Sequence, residues 1–165
     1  MHHELICLAE DLGRELLAGG GVLTTAESCT GGLISAAVTA VPGSSRWFAM
    51  SWVVYANEAK SRLLDVDPML LEQMGAVSRE VVAAMLRGAL KYAQADLALA
   101  VSGIAGPEGG TQQKPVGTVW IGAMRRDQVE IITLNRFEGD RQAVRHQTVA
   151  MALQQGRACW AVAEV

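Results

Sequence analysis

The stretch DLALAVSG, residues 96–103, decides the fold, because it is apolar without interruption from Leu97 to Val101. A strand that is apolar on both faces is typical of the centre of a sheet that helices cover on both sides. The glycine that follows Ser102 favours the end of the strand at that point. We therefore expect a central strand here, followed by a loop in the position where open α/β sheets bind their ligands.

The segments on either side of that strand predict the rest of the sheet. VLTTA (22–26) and SWVVY (51–55) are short segments rich in β-branched and apolar residues, and each predicts a further strand. GTVWIGAM (117–124) and VEIITLNRF (129–137) flank the polar stretch RRDQ and predict a β-hairpin.

Helices are predicted between these strands from leucine spacing and from capping residues. Leucines recur at helical spacing over residues 4–17, and Ser78 and Asp140 are placed to cap two longer helices, the second of which runs to the C-terminus. Strands that alternate with helices, together with one hairpin, are typical of α/β proteins. The sequence predicts a single domain over residues 1–165, folded as a three-layer α/β/α sandwich with a mixed sheet.

Charge and cysteine content argue against several classes of protein. The formal net charge is -3, without a run of Lys or Arg, and the 5% of aromatic residues are not interleaved with basic ones, so we expect no nucleic-acid partner. Three cysteines without a C-x-x-C spacing predict neither a disulfide framework nor a structural zinc site, and we expect no metal and no cofactor. Reduced thiols favour the cytoplasm. No apolar run is long enough to span a bilayer, so we expect no membrane partner.

Ser28 stands at a junction between the first predicted strand and a helix predicted over residues 30–40. The first amides of a helix lack partners inside the helix and point outward. At this junction those amides belong to Thr30, Gly31 and Gly32, and the two glycines leave room for a ligand. A serine placed there is able to attack a carbonyl carbon while the amides hold the oxyanion that forms.

Two other interpretations of this junction stay open at the level of sequence. Ser28 or Thr30 is also suited simply to cap the helix, and the stretch taken alone favours that interpretation. Cys29 is a rival nucleophile, although a buried and inert thiol is the more ordinary role of such a cysteine.

A serine nucleophile needs a base, and Lys60 is the candidate that the sequence offers. The three histidines lie at the N-terminus or in the last predicted helix: His2, His3 and His146. Lys60 falls in the first turn of a short helix that Asn57 is placed to cap, and burial together with the helix N-terminus would lower the pKa of its amine. Tyr55, at the end of the preceding strand, is placed to relay the proton from Ser28. The alternative is a solvated lysine and an interfacial tyrosine.

SGIAGPEGGTQQKPVG (102–117) is the loop that leaves the central strand. Its Ser102, Gly103, Ala105 and Gly106 are able to present several backbone amides to an anion. The loop matches neither of the glycine-rich nucleotide motifs, G-x-x-x-x-G-K-[ST] and G-x-G-x-x-G. A plain Gly/Pro loop without a ligand is the alternative.

Arg141 and Arg145 stand four residues apart in FEGDRQAVRHQ (137–147), on one face of the last predicted helix. Two guanidinium groups near a helix start suit a phosphate. A solvated face in which they pair with Glu138 or Asp140 is the alternative.

Taken together, these stretches closely resemble the CinA C-terminal-domain family, whose stand-alone members include nicotinamide-nucleotide amidohydrolases. The resemblance extends from about residue 4 to residue 160 and rests on collinear motifs: TAESCTGG, YANEAK, GAVS, SGIAGPEGG, KPVGTVW and FEGDRQAVR. It implies an α/β sandwich. It also implies hydrolysis of the carboxamide of nicotinamide mononucleotide to nicotinic acid mononucleotide and ammonia, in pyridine-nucleotide recycling.

The resemblance also implies roles for individual residues. Ser28 matches the serine that the family is thought to use as nucleophile, and Tyr55 and Lys60 match the Y-x-N-x-x-K motif that completes the site. The ligand-binding elements of the family fall on the loop and on the arginines of the last helix: Ser102, Gly103, Ile104, Ala105, Gly106, Arg141 and Arg145.

Two other functions and the oligomeric state stay open. The same residues suit a non-catalytic nucleotide-binding module that has no nucleophile, or a serine amidase that acts on another small amide. The region of Trp47, Phe48 and Trp52 favours an exposed surface and hence a homodimer or higher homo-oligomer. A buried aromatic cluster explains these residues equally well.

Overall fold

A five-stranded mixed sheet forms the centre of the protein in a computed structural model that describes residues 3–127 and 129–162. The strand order is β2-β1-β3-β4-β5, in which β1 is parallel to β2 and β3, while β4 and β5 are antiparallel to their neighbours. The strand bounds are β1 Leu23–Glu27, β2 Phe48–Val53, β3 Leu97–Gly103, β4 Thr118–Arg125 and β5 Glu130–Arg136.

Helices cover both faces of this sheet. On one face lie α1 His3–Gly19, α2 Leu33–Thr39 and α6 Arg141–Ala161, and on the other α3 Asn57–Leu64, α4 Pro68–Met74 and α5 Arg79–Ala93. Each layer of helices packs on the sheet through its own apolar core. The predicted three-layer α/β/α sandwich with a mixed sheet is therefore confirmed.

The apolar stretch that predicted the central strand serves both cores at once. Leu97 and Leu99 point into the core beneath α1 and α6, while Ala98 and Ala100 point into the core beneath α5. Successive side chains of a strand face opposite sides of the sheet. Because helices cover both sides, all four are fully buried. The small alanines let α5 approach the sheet closely.

The order of the strands fixes where a ligand is able to bind. The connection from β1 leads to β2 on one side, and β3 lies on the other side of β1. A crevice forms outside the carboxyl ends of neighbouring strands at such a reversal. Ser28 follows the end of β1, and Gly103 ends β3, so both lie at this crevice.

Several local predictions differ from the structure. The predicted strand 51–55 ends at Val53, so Tyr55 lies beyond it. Asn57 is the first helical residue of α3 and does not cap it. The second helix starts at Leu33 instead of residue 30, because the two preceding glycines have left-handed φ angles of 59° and 98°.

The aromatic region that favoured an exposed surface is largely internal. Trp47 is 2% exposed and packs so closely on α1 that a Cβ at Gly13 would lie 2.5 Å from its ring. Trp52 is half-buried and stands edge-on to Tyr92. Trp47 therefore belongs to the core and gives no support to an exposed contact surface. The homo-oligomer stays a prediction. None of the helices in the described part of the chain has the length and apolar character needed to cross a membrane.

Candidate active site

Ser28 and Lys60 are in direct contact at the crevice. The Nζ atom of Lys60 lies 3.1 Å from the Oγ atom of Ser28. Both side chains are buried, with 8% of Ser28 and 1% of Lys60 exposed. Ser28 follows β1 directly, and Lys60 stands in the first turn of α3, where its amide bonds to the carbonyl of Ala56. The structure therefore brings together the two residues that were predicted as nucleophile and base.

The surroundings of the Lys60 amine suit its neutral form. Its Nζ donates to the backbone carbonyls of Val54, at 2.9 Å, and Tyr55, at 3.3 Å. A charged amine would donate its third N–H bond to Oγ of Ser28, whereas a neutral amine, with its two N–H bonds given to these carbonyls, turns its lone pair to the Ser28 hydroxyl. Burial lowers the pKa of Lys60 from its ordinary value, because desolvation disfavours the charged form.

Tyr55 contributes its backbone, and not its hydroxyl, to this contact. Its hydroxyl accepts a hydrogen bond from Nη2 of Arg141 at 2.9 Å, and 60% of the side chain is exposed. The Tyr55 hydroxyl therefore bonds to neither Ser28 nor Lys60 in the described part of the chain, and the predicted proton relay is not needed for contact, because Lys60 reaches Ser28 without an intermediate group.

Glu27 caps helix α2 with a side chain that sequence reasoning missed. Its carboxylate is completely buried and accepts a hydrogen bond from the Thr30 hydroxyl at 2.6 Å. It also accepts hydrogen bonds from the amides of Gly32, Ile34 and Ser35, at 3.1, 3.0 and 2.8 Å. The prediction that Ser28 or Thr30 caps this helix is wrong. The two left-handed glycines, Gly31 and Gly32, lie in the turn between this carboxylate and the helix amides that it binds.

The same contacts change the prediction for the oxyanion. The amide of Gly32 donates to Glu27, and the amide of Gly31 donates to the carbonyl of Ser28 at 3.0 Å. Both amides are therefore occupied, and the prediction that they hold an oxyanion is wrong. Within residues 3–127 and 129–162, the Thr30 amide has no hydrogen-bond acceptor.

The amide of Gly103 faces the site as well. The Ser28 amide donates to the carbonyl of Val101 at 3.2 Å, so residue 101 turns its polar groups toward β1. Ile104 donates to Thr118 at 2.9 Å, so residue 104 turns its groups toward β4. Backbone groups alternate between the two sides of a strand. Gly103 therefore directs its amide toward β1, just past the last paired residue of that strand.

A small cavity joins these groups, and a larger one adjoins it. The first has a volume of about 230 Å³ and is lined by residues that include Ser28, Cys29, Tyr55, Asn57, Lys60 and Gly103. The second has a volume of about 890 Å³ and contains Arg145 and His146. Ala105 and Arg141 line both cavities. An elongated ligand is therefore able to reach from Ser28 past Arg141 into the larger space.

The loop after β3 offers fewer free polar groups than predicted, because several of them are bonded within the protein. The Ser102 hydroxyl donates to the carbonyl of Ala76 at 2.8 Å, and the Ile104 amide is taken by β4. A Cβ at Gly103 would lie 2.6 Å from the Val119 side chain, so glycine is needed there for packing against β4. Of the predicted ligand residues in this loop, Ser102, Gly103 and Ala105 line the smaller cavity, whereas Ile104 and Gly106 do not.

Both arginines of α6 bind backbone carbonyls near the site. Nη1 of Arg141 donates to Gly106 at 2.8 Å, and Nη2 of Arg145 donates to Thr30 at 2.8 Å. In the part of the chain that the structure describes, neither guanidinium pairs with a carboxylate. The alternative in which they pair with Glu138 or Asp140 is therefore wrong.

The rival nucleophile and the histidines are poorly placed for catalysis. Burial raises the pKa of Cys29 to about 12, so its reactive thiolate is strongly disfavoured. His146 lies in α6 with its Nε2 atom 3.8 Å from Oε2 of Glu4, and His2 lies outside the described residues. Across residues 3–127 and 129–162, no group of three or more His, Cys, Asp or Glu side chains is arranged to hold a metal ion.

Comparison with known proteins identifies relatives over nearly the whole chain. The CinA C-terminal domain model matches residues 6–159. The chain is 50% identical over 151 residues to the nicotinamide-nucleotide amidohydrolase PncC of Escherichia coli K12, covering 92% of each protein. It is 52% identical over 146 residues to the Pseudomonas putida protein of that name, covering 88% of this chain and 91% of the relative.

Solved structures show the same architecture. The competence/damage inducible protein CihA of Agrobacterium tumefaciens superposes with a TM-score of 0.94 at 38% identity, covering 96% of this chain and 97% of that one. A competence-damaged protein (CinA) superfamily protein of Klebsiella pneumoniae superposes with a TM-score of 0.91 at 39% identity, covering 95% and 98%.

Proposed function

The chain belongs to the CinA C-terminal domain family, and from this premise we propose that it hydrolyses the carboxamide of nicotinamide mononucleotide to nicotinic acid mononucleotide and ammonia. Relatives that are 50% and 52% identical carry the name of this activity. The observation that carries the proposal is the buried contact between Ser28 and Lys60, because it pairs a hydroxyl with an amine whose pKa is lowered. The reaction would return the amide form of a pyridine nucleotide to the acid form and so serve recycling.

Lys60 acts as the general base in this mechanism. Its lone pair accepts the proton of Ser28, and the serine oxygen forms a bond to the carboxamide carbon. The protonated amine then gives that proton to the leaving nitrogen, so the carbon–nitrogen bond breaks and ammonia departs. Water attacks the resulting ester with help from the same amine and releases the carboxylate and Ser28. Positioned proton transfer of this kind contributes about 10²–10⁴-fold to a rate.

Backbone amides stabilise the oxyanion that forms during attack. The amides of Gly103 and Thr30 are the suitable donors, because those of Gly31 and Gly32 are occupied. Loss of one such donor typically lowers kcat by about 10²–10³-fold. The donors come from two segments, the end of β3 and the turn after β1, which the Ser28–Val101 hydrogen bond holds together.

Arg141 and Arg145 bind the phosphate of the substrate. The nicotinamide ring occupies the smaller cavity, and the ribose phosphate extends into the larger one past Arg141, which lines both. Arg141 is exposed and has its guanidinium aligned by the Tyr55 hydroxyl and the Gly106 carbonyl. Arg145 lines the larger cavity while it holds the carbonyl of Thr30, so it joins the phosphate site to the turn that follows the nucleophile.

An ammonia-release assay with three related amides tests the function. We expect the purified protein to hydrolyse nicotinamide mononucleotide well, nicotinamide riboside less well because it lacks the phosphate, and free nicotinamide least. A calorimetric titration in parallel distinguishes catalysis from binding alone. Binding of the mononucleotide without ammonia release would refute the proposed function and favour a non-catalytic binding module. Equal rates with all three amides would refute the phosphate site.

A further inference from the structure

Glu27 is a buried carboxylate directly before the nucleophile, and the mechanism above leaves it without a role. Successive residues at the end of a strand face opposite sides of the sheet. Ser28 faces α3 and contacts Lys60, whereas Glu27 faces α2 and contacts its first amides. We propose that Glu27 is a positioning residue that holds the Ser28 hydroxyl in line with the Lys60 amine. This inference rests on the proposed function of Ser28.

The carboxylate organises the whole turn that follows Ser28. Oε2 accepts three hydrogen bonds, from the Thr30 hydroxyl at 2.6 Å and from the amides of Gly32 and Ile34. Oε1 accepts one from the amide of Ser35 at 2.8 Å and two longer ones, at 3.5 Å, from the hydroxyls of Thr25 and Ser51. The turn contains two left-handed glycines and has few backbone hydrogen bonds of its own. Without the carboxylate, the donors of this segment would therefore have no common acceptor to fix the path of the chain.

The backbone of Glu27 joins the same unit to the base. Its carbonyl accepts the amide of Val54 at 2.9 Å, and the carbonyl of Val54 in turn accepts Nζ of Lys60 at 2.9 Å. The nucleophile and the base are thus attached to one short network, with the Glu27 side chain at one end and the lysine at the other. A shift of the turn would move Ser28 away from the Lys60 amine, which stays in place because it donates to the carbonyls of Val54 and Tyr55.

Other roles for Glu27 fit the structure less well. A general base must reach the serine, but none of the six hydrogen bonds that the Glu27 carboxylate accepts comes from Ser28. A substrate ligand must line the cavity, and Glu27 is not among the residues that line either cavity beside Ser28. A positioning role therefore predicts an effect on kcat with little effect on KM.

Glu27→Gln, Thr30→Val and Thr30→Ser test this role with nicotinamide mononucleotide as substrate. Glu27→Gln keeps the shape of the side chain but replaces one acceptor oxygen by an amide NH2 group, which is itself a donor and faces donors. Thr30→Val removes the hydroxyl that makes the shortest contact. We expect each to lower kcat by about 10²-fold with KM nearly unchanged, since a small misplacement of a reacting group costs about that much. Thr30→Ser restores the hydroxyl and should restore kcat. Thr39→Val, which removes a threonine hydroxyl at the C-terminal end of α2, serves as the matched control and should keep wild-type kinetics.

A second measurement separates this role from the proposed substrate and from a loss of folding. A serine-directed fluorophosphonate probe should label Ser28 in the wild-type protein and label Glu27→Gln and Thr30→Val about 10²-fold more slowly. Circular dichroism establishes which variants are folded. If Glu27→Gln is not folded, Thr30→Val tests the positioning role in its place. A folded variant with wild-type kcat and labelling rate, or a Thr30→Ser variant as slow as Thr30→Val, would overturn the inference. Labelling that depends on Glu27 in a protein that does not hydrolyse the mononucleotide would refute the substrate and keep the positioning role.

Discussion

Replacement of Lys60 by methionine removes the proposed base while keeping an unbranched side chain of similar length. Loss of the base should lower kcat by about 10²–10⁴-fold, which corresponds to about 3–5 kcal/mol in the barrier. The amine also donates to the carbonyls of Val54 and Tyr55, and a buried carbonyl without a donor costs about 1–3 kcal/mol. Removal of a buried amine offsets part of that cost. We therefore expect a folded protein with a severe loss of turnover.

The pH dependence of this variant gives an independent signature. Lys60 acts as a base only when neutral, so wild-type kcat/KM should rise with pH through the lowered pKa of Lys60, and Lys60→Met should lack that limb. The same shift affects stability. Between the folded-state pKa and the ordinary value of 10.5, the unfolded chain binds more protons than the folded protein, so the free energy of unfolding rises with pH. The stability of the wild type relative to Lys60→Met should therefore increase with pH across that window and decrease as pH falls toward the folded pKa.

Ammonia release and chemical denaturation at a series of pH values measure both effects. Arg62→Met is the matched control, because it removes an exposed cation from the same helix and should keep the wild-type profile. Near-normal turnover in Lys60→Met, or a pH profile that it shares with the wild type, would refute the assignment of Lys60 as the base.

Three further predictions follow from individual contacts. Tyr55→Phe should keep kcat within a few-fold, because Lys60 contacts the Tyr55 carbonyl and not its hydroxyl. A loss of kcat of about 10²-fold would instead support a proton relay through the hydroxyl. Arg141→Ala should raise KM for the mononucleotide far more than KM for nicotinamide riboside, and equal changes in steady-state kinetics would contradict its contact with phosphate. Gly88→Ala should lower the melting temperature by several degrees in a thermal melt, because its Cβ would lie 2.1 Å from the carbonyl oxygen of Leu64 and such overpacking costs about 1–3 kcal/mol. An unchanged melting temperature would contradict that contact.

The sequence was sufficient for the fold because its signals are local. The unbroken apolar run of β3 reported that both faces of the strand are covered, and the alternation of leucine with alanine matches its two cores. Ser78 and Asp140 cap α5 and α6 as predicted, since the side chain of each accepts an amide three residues ahead. Such features depend on a few neighbouring residues and are visible in one stretch of chain.

The details of the site were less accessible, because they depend on contacts between distant segments. The hydroxyl of Tyr55 was expected near Ser28 but bonds to Arg141, which is far away in sequence and meets it only in the folded protein. Glu27 was overlooked because the sequence around an acid at the end of a strand does not show which helix amides will donate hydrogen bonds to it. The one feature of the sequence that could have indicated it is a charged residue directly after the buried stretch LTTA and before a pair of glycines.

The comparison of Ser28→Ala with Cys29→Ala in the ammonia-release assay decides whether Ser28 is the nucleophile. The two residues are neighbours in the same cavity, so the pair of variants distinguishes the hydroxyl from the thiol at one position in the fold. We expect Ser28→Ala to lose more than about 10⁴-fold of the wild-type activity, which is more than removal of the base would cost. Cys29→Ala should retain turnover. Near-normal ammonia release by Ser28→Ala, or its abolition in Cys29→Ala, would show that Ser28 is not the nucleophile.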